Sequence, residues 1–225
     1  MNTLSNPSPR LQRRLICIAI LGSALAGSLQ LPARAADTAS FESAFGEFQR
    51  GLSGNEASVD VAADRFAALS AATPGDPVLL AYSGAATAMR ARTTFLPWKK
   101  MTFAEDGLAL LDKALALLTP AHDAPLHRGT SASLETRFTA ASTFVALPGM
   151  FNRHARGMKL LDEVLASPLF AGAPLAFRGA VWLRAGSEAV ADKRPEDARR
   201  LLQQVLSSGA PQASSAQAKL KEIAS

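Results

Sequence analysis

The histidines are the residues from which metal binding or acid–base chemistry would first be expected, because imidazole titrates near neutral pH. His122, Asp123 and His127 lie close together in the sequence. On a helix the two imidazoles would approach each other, but Pro120 and Pro125 disfavour a helix here. No third ligand with a recognisable spacing accompanies them. We therefore predict solvent-exposed loop histidines and no metal site.

The remaining reactive side chains give no stronger indication of catalysis. His154 is flanked by Arg153 and Arg156, whose positive charges would repel a divalent cation. The chain has no Gly-x-Ser-x-Gly motif, no His-Glu-x-x-His motif and no glycine-rich phosphate loop, and its one cysteine is Cys17. We therefore predict a protein that is not an enzyme, with no catalytic residue and no cofactor.

Residues 95–100, with the sequence Phe-Leu-Pro-Trp-Lys-Lys, form an aromatic and basic segment. Trp98, Lys99 and Lys100 adjoin there, as such residues do at membrane surfaces and at protein–protein hot spots. In the alternative interpretation, Phe95 and Trp98 pack into the core beneath a loop. The sequence favours this alternative, because a lone aromatic side chain near a helix start usually packs.

Residues 1–36 have the pattern of a cleavable export signal. A cationic stretch that includes Arg13 and Arg14 precedes an uncharged apolar run, residues 15–29, and small residues at 33–36 offer a cleavage site. The run is short and rich in Gly and Ser, which disfavours an uncleaved membrane anchor. The arginine pair is compatible with the twin-arginine route, but the full motif is missing, so a Sec signal is favoured. We predict a periplasmic or otherwise exported protein.

Removing this signal changes the charge of the chain. Four of its 24 Lys and Arg residues and none of its 19 Asp and Glu residues lie in residues 1–36, so the formal charge falls from +5 to +1. The sequence pI of about 9.8 therefore belongs largely to the signal, and it does not indicate nucleic-acid binding. Residues 37–225 contain no cysteine, so their stability must come from apolar packing.

Composition and periodicity predict an all-α domain over residues 37–225. Ala and Leu dominate, residues typical of strands are sparse, and no alternating run is present. Apolar faces and Pro or Gly punctuation predict four helical hairpins and a closing C-terminal helix. The predicted helices span about residues 41–54, 56–72, 76–92, 101–118, 131–146, 150–166, 174–191, 195–207 and 212–224.

Two stretches share a spacing of small, bulky and helix-breaking residues. They are Ala62, Phe66, Leu69 and Pro74 in the first, and Trp182, Gly186, Ala198, Leu202, Val205 and Pro211 in the second. This spacing resembles the tetratricopeptide repeat, a helix–turn–helix unit of about 34 residues. Gly84 fits the small-residue position of the unit after Pro74, whereas Leu80 stands where Trp would be. The resemblance implies a right-handed α-α superhelix that binds proteins.

In tetratricopeptide-like stacks the first helix of each hairpin lines a concave face. Here those helices carry five arginines: Arg90, Arg92, Arg137, Arg178 and Arg184. Arginine can bind a carboxylate through two parallel hydrogen bonds, so such a row would suit an acidic or C-terminal segment of a partner. The alternative is that glutamates on the same helices pair with these arginines: Glu42, Glu47, Glu135 and Glu188.

Together these patterns predict an exported helical-repeat scaffold or adaptor that binds another protein of the cell envelope without catalysis. The alternative is a periplasmic carrier of a small molecule or peptide, serving an envelope transport system and holding its ligand between the first helices of adjacent hairpins. Neither function involves nucleic acid, and contact with a membrane would be peripheral.

Overall fold

A computed structural model describes the backbone of residues 30–224 and the side chains of residues 38–223. The chain divides into two compact units, Met1–Ala39 and Ser40–Ser225, and every contact described below lies within the second. The α-helices are α1 Gln30–Leu52, α2 Glu56–Ala72, α3 Pro77–Thr93, α4 Pro97–Ala116, α5 Ala132–Ala146, α6 His154–Ala166, α7 Leu175–Ala191, α8 Pro195–Ser207 and α9 Ala213–Ala224. Residues 30–224 contain no β-strand, so the predicted all-α fold class is confirmed.

The turn between α2 and α3 illustrates how local sequence sets the helix boundaries. Asp76 precedes α3, and its side chain accepts hydrogen bonds from the backbone N–H groups of Val78 and Leu79. Pro77 occupies the first helical position, where a missing N–H costs nothing. Asn55 caps α2 in the same way, accepting from the N–H of Ser58. The sequence Gly75-Asp76-Pro77 predicts a turn with Asp76 as the cap of the next helix, and the structure confirms this.

Adjacent helices pack as hairpins, and α9 packs on α7 and α8. The tightest packing joins α3 to α4, where a β-carbon on Gly84 would lie only 2.8 Å from the carbonyl oxygen of Gly107. Gly186 has a similar role between α7 and α8, since a β-carbon there would lie 2.9 Å from Leu202. Small residues therefore permit the close approach within hairpins, as predicted for Gly84. The right-handed superhelical arrangement remains a prediction.

The buried side chains form two cores. The N-terminal core is rich in aromatic rings, and its largest members are Phe41, Phe48, Phe66, Tyr82 and Met89. The C-terminal core is mostly Leu, Val and Ala, joined by Phe144, Phe170 and Trp182. Helix α3 contributes to both cores, because Val78, Leu79 and Tyr82 belong to the first and Leu80 and Ala81 to the second. Its burial from Pro77 to Ala86 follows from this position between them.

Four predicted boundaries or faces need correction. Helix α4 begins at Pro97 rather than at about residue 101, since proline suits the first helical position, so Trp98, Lys99 and Lys100 lie on this helix. Helix α1 begins at Gln30, earlier than predicted, because the alanines at 33–39 favour helix. The predicted cleavage site at residues 33–36 therefore lies within α1. Helix α6 begins at His154 rather than Met150, because a 3-10 turn at Gly149–Phe151 and a left-handed Asn152 (φ 52°) precede it. The spacing of Phe41, Phe45, Phe48 and Leu52 predicts one inward face, but Leu52 ends α1 and is 55% exposed.

Candidate ligand-binding cavity

A cavity of about 990 Å³ opens among the helices that begin the hairpins. Residues of α1, α3, α5 and α7 line it, together with the start of α4. Its apolar walls are formed mainly by Phe45, Phe48, Met89, Phe138, Phe177 and Leu183. This volume lies at the upper end of the range typical of small-molecule sites, about 300–1,000 Å³. The arrangement can enclose an elongated apolar body.

Contacts between neighbouring helices show that the cavity walls run in the same direction. On α1 and α3, Phe45 contacts Tyr82, and one to two turns further along Gly51 lies beside Met89. On α5 and α7, the rings of Phe138 and Phe177 lie 5.4 Å apart, and further along Arg184 donates to the carbonyl oxygen of Ser142. The C-terminal ends of these helices therefore meet at one end of the cavity.

Cations line this cavity, and none of the described residues that line it is Asp or Glu. The four cations are Arg92, Lys100, Arg128 and Arg184. Two of them already have partners. The guanidinium of Arg128 lies 3.8 Å from the centroid of the Phe45 ring, and its Nε is 3.6 Å from Glu42 Oε1. Arg184 Nε lies 3.3 Å from Glu188 Oε1, and burial lowers the pKa of Arg184 while Glu188 opposes that shift.

Arg92 and Lys100 differ from the other two cations. Both are exposed, and neither side chain forms an ion pair or hydrogen bond with a residue that the structure describes. Arg92 lies in the last turn of α3, and Lys100 in the first turn of α4. These two charges are therefore available to an anionic group placed at the end of the cavity. We call Arg92 and Lys100 the cationic pair.

A buried carboxyl group lies behind the cavity wall. The Tyr82 hydroxyl, on a residue that lines the cavity, donates to Glu135 Oε1 at 2.9 Å. Burial raises the pKa of Glu135 to about 7, against the opposing effects of the Tyr82 hydrogen bond and of Arg128 and His127. Burial, and then the neighbouring Glu135, raises the pKa of Tyr82 well above its ordinary value. Glu135 is therefore protonated and neutral at mildly acidic pH, with Tyr82 as its hydrogen-bond donor.

The predicted solvent-exposed state of His127 is wrong. Its Nε2 lies 2.7 Å from Asp76 Oδ2, and its ring stacks on Phe41 with centroids 4.2 Å apart. His122 instead accepts a hydrogen bond from the Thr119 N–H through Nδ1, which stabilises the 3-10 turn that starts at Pro120. His127 thus links the loop before α5 to the cap of α3. Among the described residues, no group of three His, Cys, Asp or Glu could hold a metal ion.

Of the five predicted groove arginines, two line the cavity and three do not. Arg92 and Arg184 line the cavity, whereas Arg90, Arg137 and Arg178 are not among its lining residues. Arg90 forms ion pairs with Asp60 and Asp64 of α2, at 2.7 and 2.6 Å. Arg137 lies 3.8 Å from Glu163, and the guanidinium carbon of Arg178 lies 5.6 Å from the centroid of the Trp182 ring.

The segment at residues 95–100 lies at the surface, and the interpretation that its aromatic residues pack into the core is wrong. Phe95 is 93% exposed and Trp98 is 65% exposed. Lys99 is exposed as well, and Lys100 lines the cavity. The turn between α3 and α4 is short, and Pro97 occupies the first position of α4. Phe95 therefore lies in the turn and Trp98 in the first turn of α4, and both side chains are directed away from the core.

Sequence reasoning missed two residues that shape this site. Arg128 reaches the Phe45 ring from a loop where it has a left-handed backbone (φ 48°), and no local pattern marks a loop arginine for this contact. Glu135 was noted only as a possible partner of arginines, but it pairs with Tyr82. Its position one residue after Leu134, on a helix that is otherwise apolar or small on that side, is the signal that could have indicated burial.

Comparison with known proteins finds no family model, no curated protein and no solved structure that matches this chain. Among the described residues, no helix has the length and apolar character needed to cross a membrane. The cationic stretch and the whole apolar run of the predicted export signal, residues 15–29, lie outside the described residues.

Proposed function

We propose that this protein is a carrier that holds an amphipathic anion, such as a long-chain carboxylate, in the cavity. The observation that carries the proposal is the combination of apolar walls, four lining cations and no lining carboxylate. An apolar chain would lie against rings such as Phe138 and Phe177, because removing apolar surface from water is favourable. Its anionic head would lie at the cationic pair, where Arg92 and Lys100 supply charge-assisted hydrogen bonds.

The compartment and partners belong to the same proposal. The N-terminal pattern at residues 1–36 supports an exported, periplasmic carrier. A ligand with a long apolar chain dissolves poorly in water, so such a carrier has an evident role between membrane components of the envelope. We expect it to exchange its ligand with another envelope protein or with a membrane surface.

Binding of a fluorescent long-chain carboxylate, measured by titration, tests the anionic part of this proposal. We expect Arg92→Ala/Lys100→Ala to weaken binding roughly tenfold or more, since a charge-assisted hydrogen bond contributes about 1.5–3 kcal/mol. The matched control is Arg90→Ala, on the same helix but paired with α2 rather than lining the cavity. Binding of the uncharged alcohol with the same chain should be unaffected by either variant.

A cavity-filling substitution tests the apolar part. Ala180 lines the cavity on α7, so Ala180→Trp should exclude the probe and reduce binding strongly. Ala191→Trp is the control, because Ala191 is exposed at the end of the same helix. The carrier proposal is overturned if the parent protein binds neither the carboxylate nor the alcohol, or if Ala180→Trp binds both as well as the parent does.

The adaptor hypothesis has less support, because only two of its five arginines line the cavity and Arg90 and Arg137 already have acidic partners. It makes a different prediction from the carrier proposal. Arg137→Ala/Arg178→Ala should remove an acidic protein partner captured from envelope extract, but should leave long-chain carboxylate binding unchanged. A captured protein that is lost in this variant, together with no binding of either probe, would favour the adaptor.

A further inference from the structure

Most of the exposed apolar side chains of this protein lie at one end of the cavity, where α1, α3 and α5 end and α4 begins. We call this the open end of the cavity. Eight large apolar side chains are exposed among the described residues, and five belong to this region: Leu52, Phe95, Leu96, Trp98 and Met150. Leu52 and Met150 themselves line the cavity, and Pro97, between Leu96 and Trp98, lines it as well. Single exposed apolar residues are ordinary, but a contiguous group marks an interaction surface.

The segment that forms this surface carries charge of one sign. From Arg90 to Ala104 the chain carries four cations and no acidic residue. Arg90 is paired with Asp60 and Asp64, whereas Arg92 and Lys100 have no ion pair with a described residue. Aromatic side chains interleaved with lysines are typical of segments that lie in the headgroup region of a bilayer, and anionic lipids attract such lysines.

We propose that residues 95–100 dock the open end of the cavity onto an anionic membrane surface. Phe95 and Trp98 insert among the headgroups, while Lys99 and Lys100 face the lipid phosphates. The cavity entrance is then held against the bilayer, so an amphipathic anion can pass between them without crossing water. This inference rests on the proposed carrier function for its purpose, but the docking itself requires no ligand.

Flotation with lipid vesicles tests the docking, using protein expressed with its own N-terminus and purified from the exported fraction of a bacterial host. The vesicles contain either phosphatidylcholine alone or equal parts of phosphatidylcholine and phosphatidylglycerol. We expect binding to the second and little to the first. Lys99→Gln/Lys100→Gln should weaken it by roughly fivefold for each lysine, at about 1 kcal/mol per cation near an anionic surface, and Phe95→Ser/Trp98→Ser by about tenfold or more.

Matched control variants carry the same changes elsewhere on the surface. Leu126→Ser/Leu206→Ser replaces two exposed apolar residues outside this region, and Lys159→Gln/Lys193→Gln removes two exposed lysines. Both controls should bind vesicles as the parent does. Trp98 also serves as a reporter, since the other tryptophan, Trp182, is buried. Its emission should shift to shorter wavelength with anionic vesicles, and Trp98→Phe should abolish that shift.

Each outcome decides between membrane docking and its alternatives. The docking proposal is overturned if the parent does not bind anionic vesicles, or if the Phe95→Ser/Trp98→Ser and Lys99→Gln/Lys100→Gln variants bind as the parent does. An envelope protein lost from capture by these variants, without vesicle binding by the parent, would identify the surface as a protein interface instead. Long-chain carboxylate binding without vesicle binding would leave the carrier proposal standing and remove only the docking.

Discussion

The two cores of this protein are built in different ways. In the N-terminal core, aromatic rings contact one another closely: Phe66 lies 5.0 Å from Tyr82 and 5.8 Å from Phe41, centroid to centroid. In the C-terminal core, aliphatic side chains such as Leu202 and Val205 fill the space between α7 and α8. Aromatic rings have preferred contact geometries, whereas aliphatic side chains adapt more readily to their neighbours.

Polar contacts distinguish the two cores as well. The N-terminal core is bounded by the hydrogen bond between Tyr82 and Glu135 and by the contact between Asp76 and His127. These contacts join residues 53 and 51 positions apart. In the C-terminal core, Glu188 Oε1 lies 3.3 Å from Arg184 Nε on the same helix, and Glu188 Oε2 lies 3.4 Å from His154 Nε2 on α6. Arg184 also donates to the carbonyl oxygen of Ser142, 42 positions earlier. Both cores therefore have polar contacts between residues far apart in the sequence, but Glu135 pairs with a hydroxyl group whereas Glu188 lies beside a guanidinium and an imidazole.

The largest expected effects come from truncating one equivalent side chain in each core. Phe66 and Leu202 each lie four residues after a buried alanine on the second helix of a hairpin, and both are fully buried. We expect Phe66→Ala to cost about 4 kcal/mol of unfolding free energy and Leu202→Ala about 3 kcal/mol, from lost transfer free energy and a residual cavity. Urea unfolding measures both. A smaller loss for Phe66→Ala than for Leu202→Ala would contradict the greater rigidity of the N-terminal core.

The buried carboxyl group of Glu135 should make the stability of the N-terminal core depend on pH. The folded pKa of Glu135, about 7, exceeds its unfolded pKa. At pH values between the two, the folded protein therefore retains a proton that the unfolded chain has released. Stability therefore falls as pH rises from about 4 to 8, and we expect a loss on the order of 3 kcal/mol. The groups that act on this titration are Tyr82, Arg128, His127 and Asp76.

Glu135→Gln should remove this pH dependence, because the amide oxygen still accepts the Tyr82 hydrogen bond but does not ionise. The variant should exceed the parent in stability at pH 8 and differ little from it at pH 5. Asp76 and His127 are present in both proteins, so the difference between them isolates Glu135. Glu188→Gln is the control from the C-terminal core and should retain the parent's pH dependence. A parent protein that is as stable at pH 8 as at pH 5 would contradict the burial of an ionisable Glu135.

The same contrast explains which features could be predicted from sequence. The turn at Asp76 and Pro77 and the inward face of Ala198 and Leu202 depend on neighbours within about one or two helical turns, so residue types and spacing predict them. The contact between Tyr82 and Glu135 depends on how two hairpins stack, which no local pattern specifies. The prediction for the arginines uses the face of an idealised repeat, whereas Arg90 and Arg137 contact acidic residues on other helices, which no local pattern specifies. The cavity also depends on how the hairpins pack on one another. The sequence could therefore predict only its position, between the first helices of adjacent hairpins.

The smallest expected effects concern two close helix contacts, one between α3 and α4 at Gly84 and one between α7 and α8 at Gly186. A β-carbon on Gly84 would lie 2.8 Å from the Gly107 carbonyl oxygen, a backbone atom that cannot move without shifting α4. On Gly186 the nearest atoms, at 2.9 Å, belong to the Leu202 side chain, which can adopt another rotamer. We expect Gly84→Ala to cost about 1–3 kcal/mol from overpacking. Gly186→Ala should cost less, because the gain in helix propensity, about 1 kcal/mol, offsets a smaller strain. Thermal unfolding compares the two, and equal or reversed losses would show that the backbone contact between α3 and α4 is no more rigid than the side-chain contact between α7 and α8.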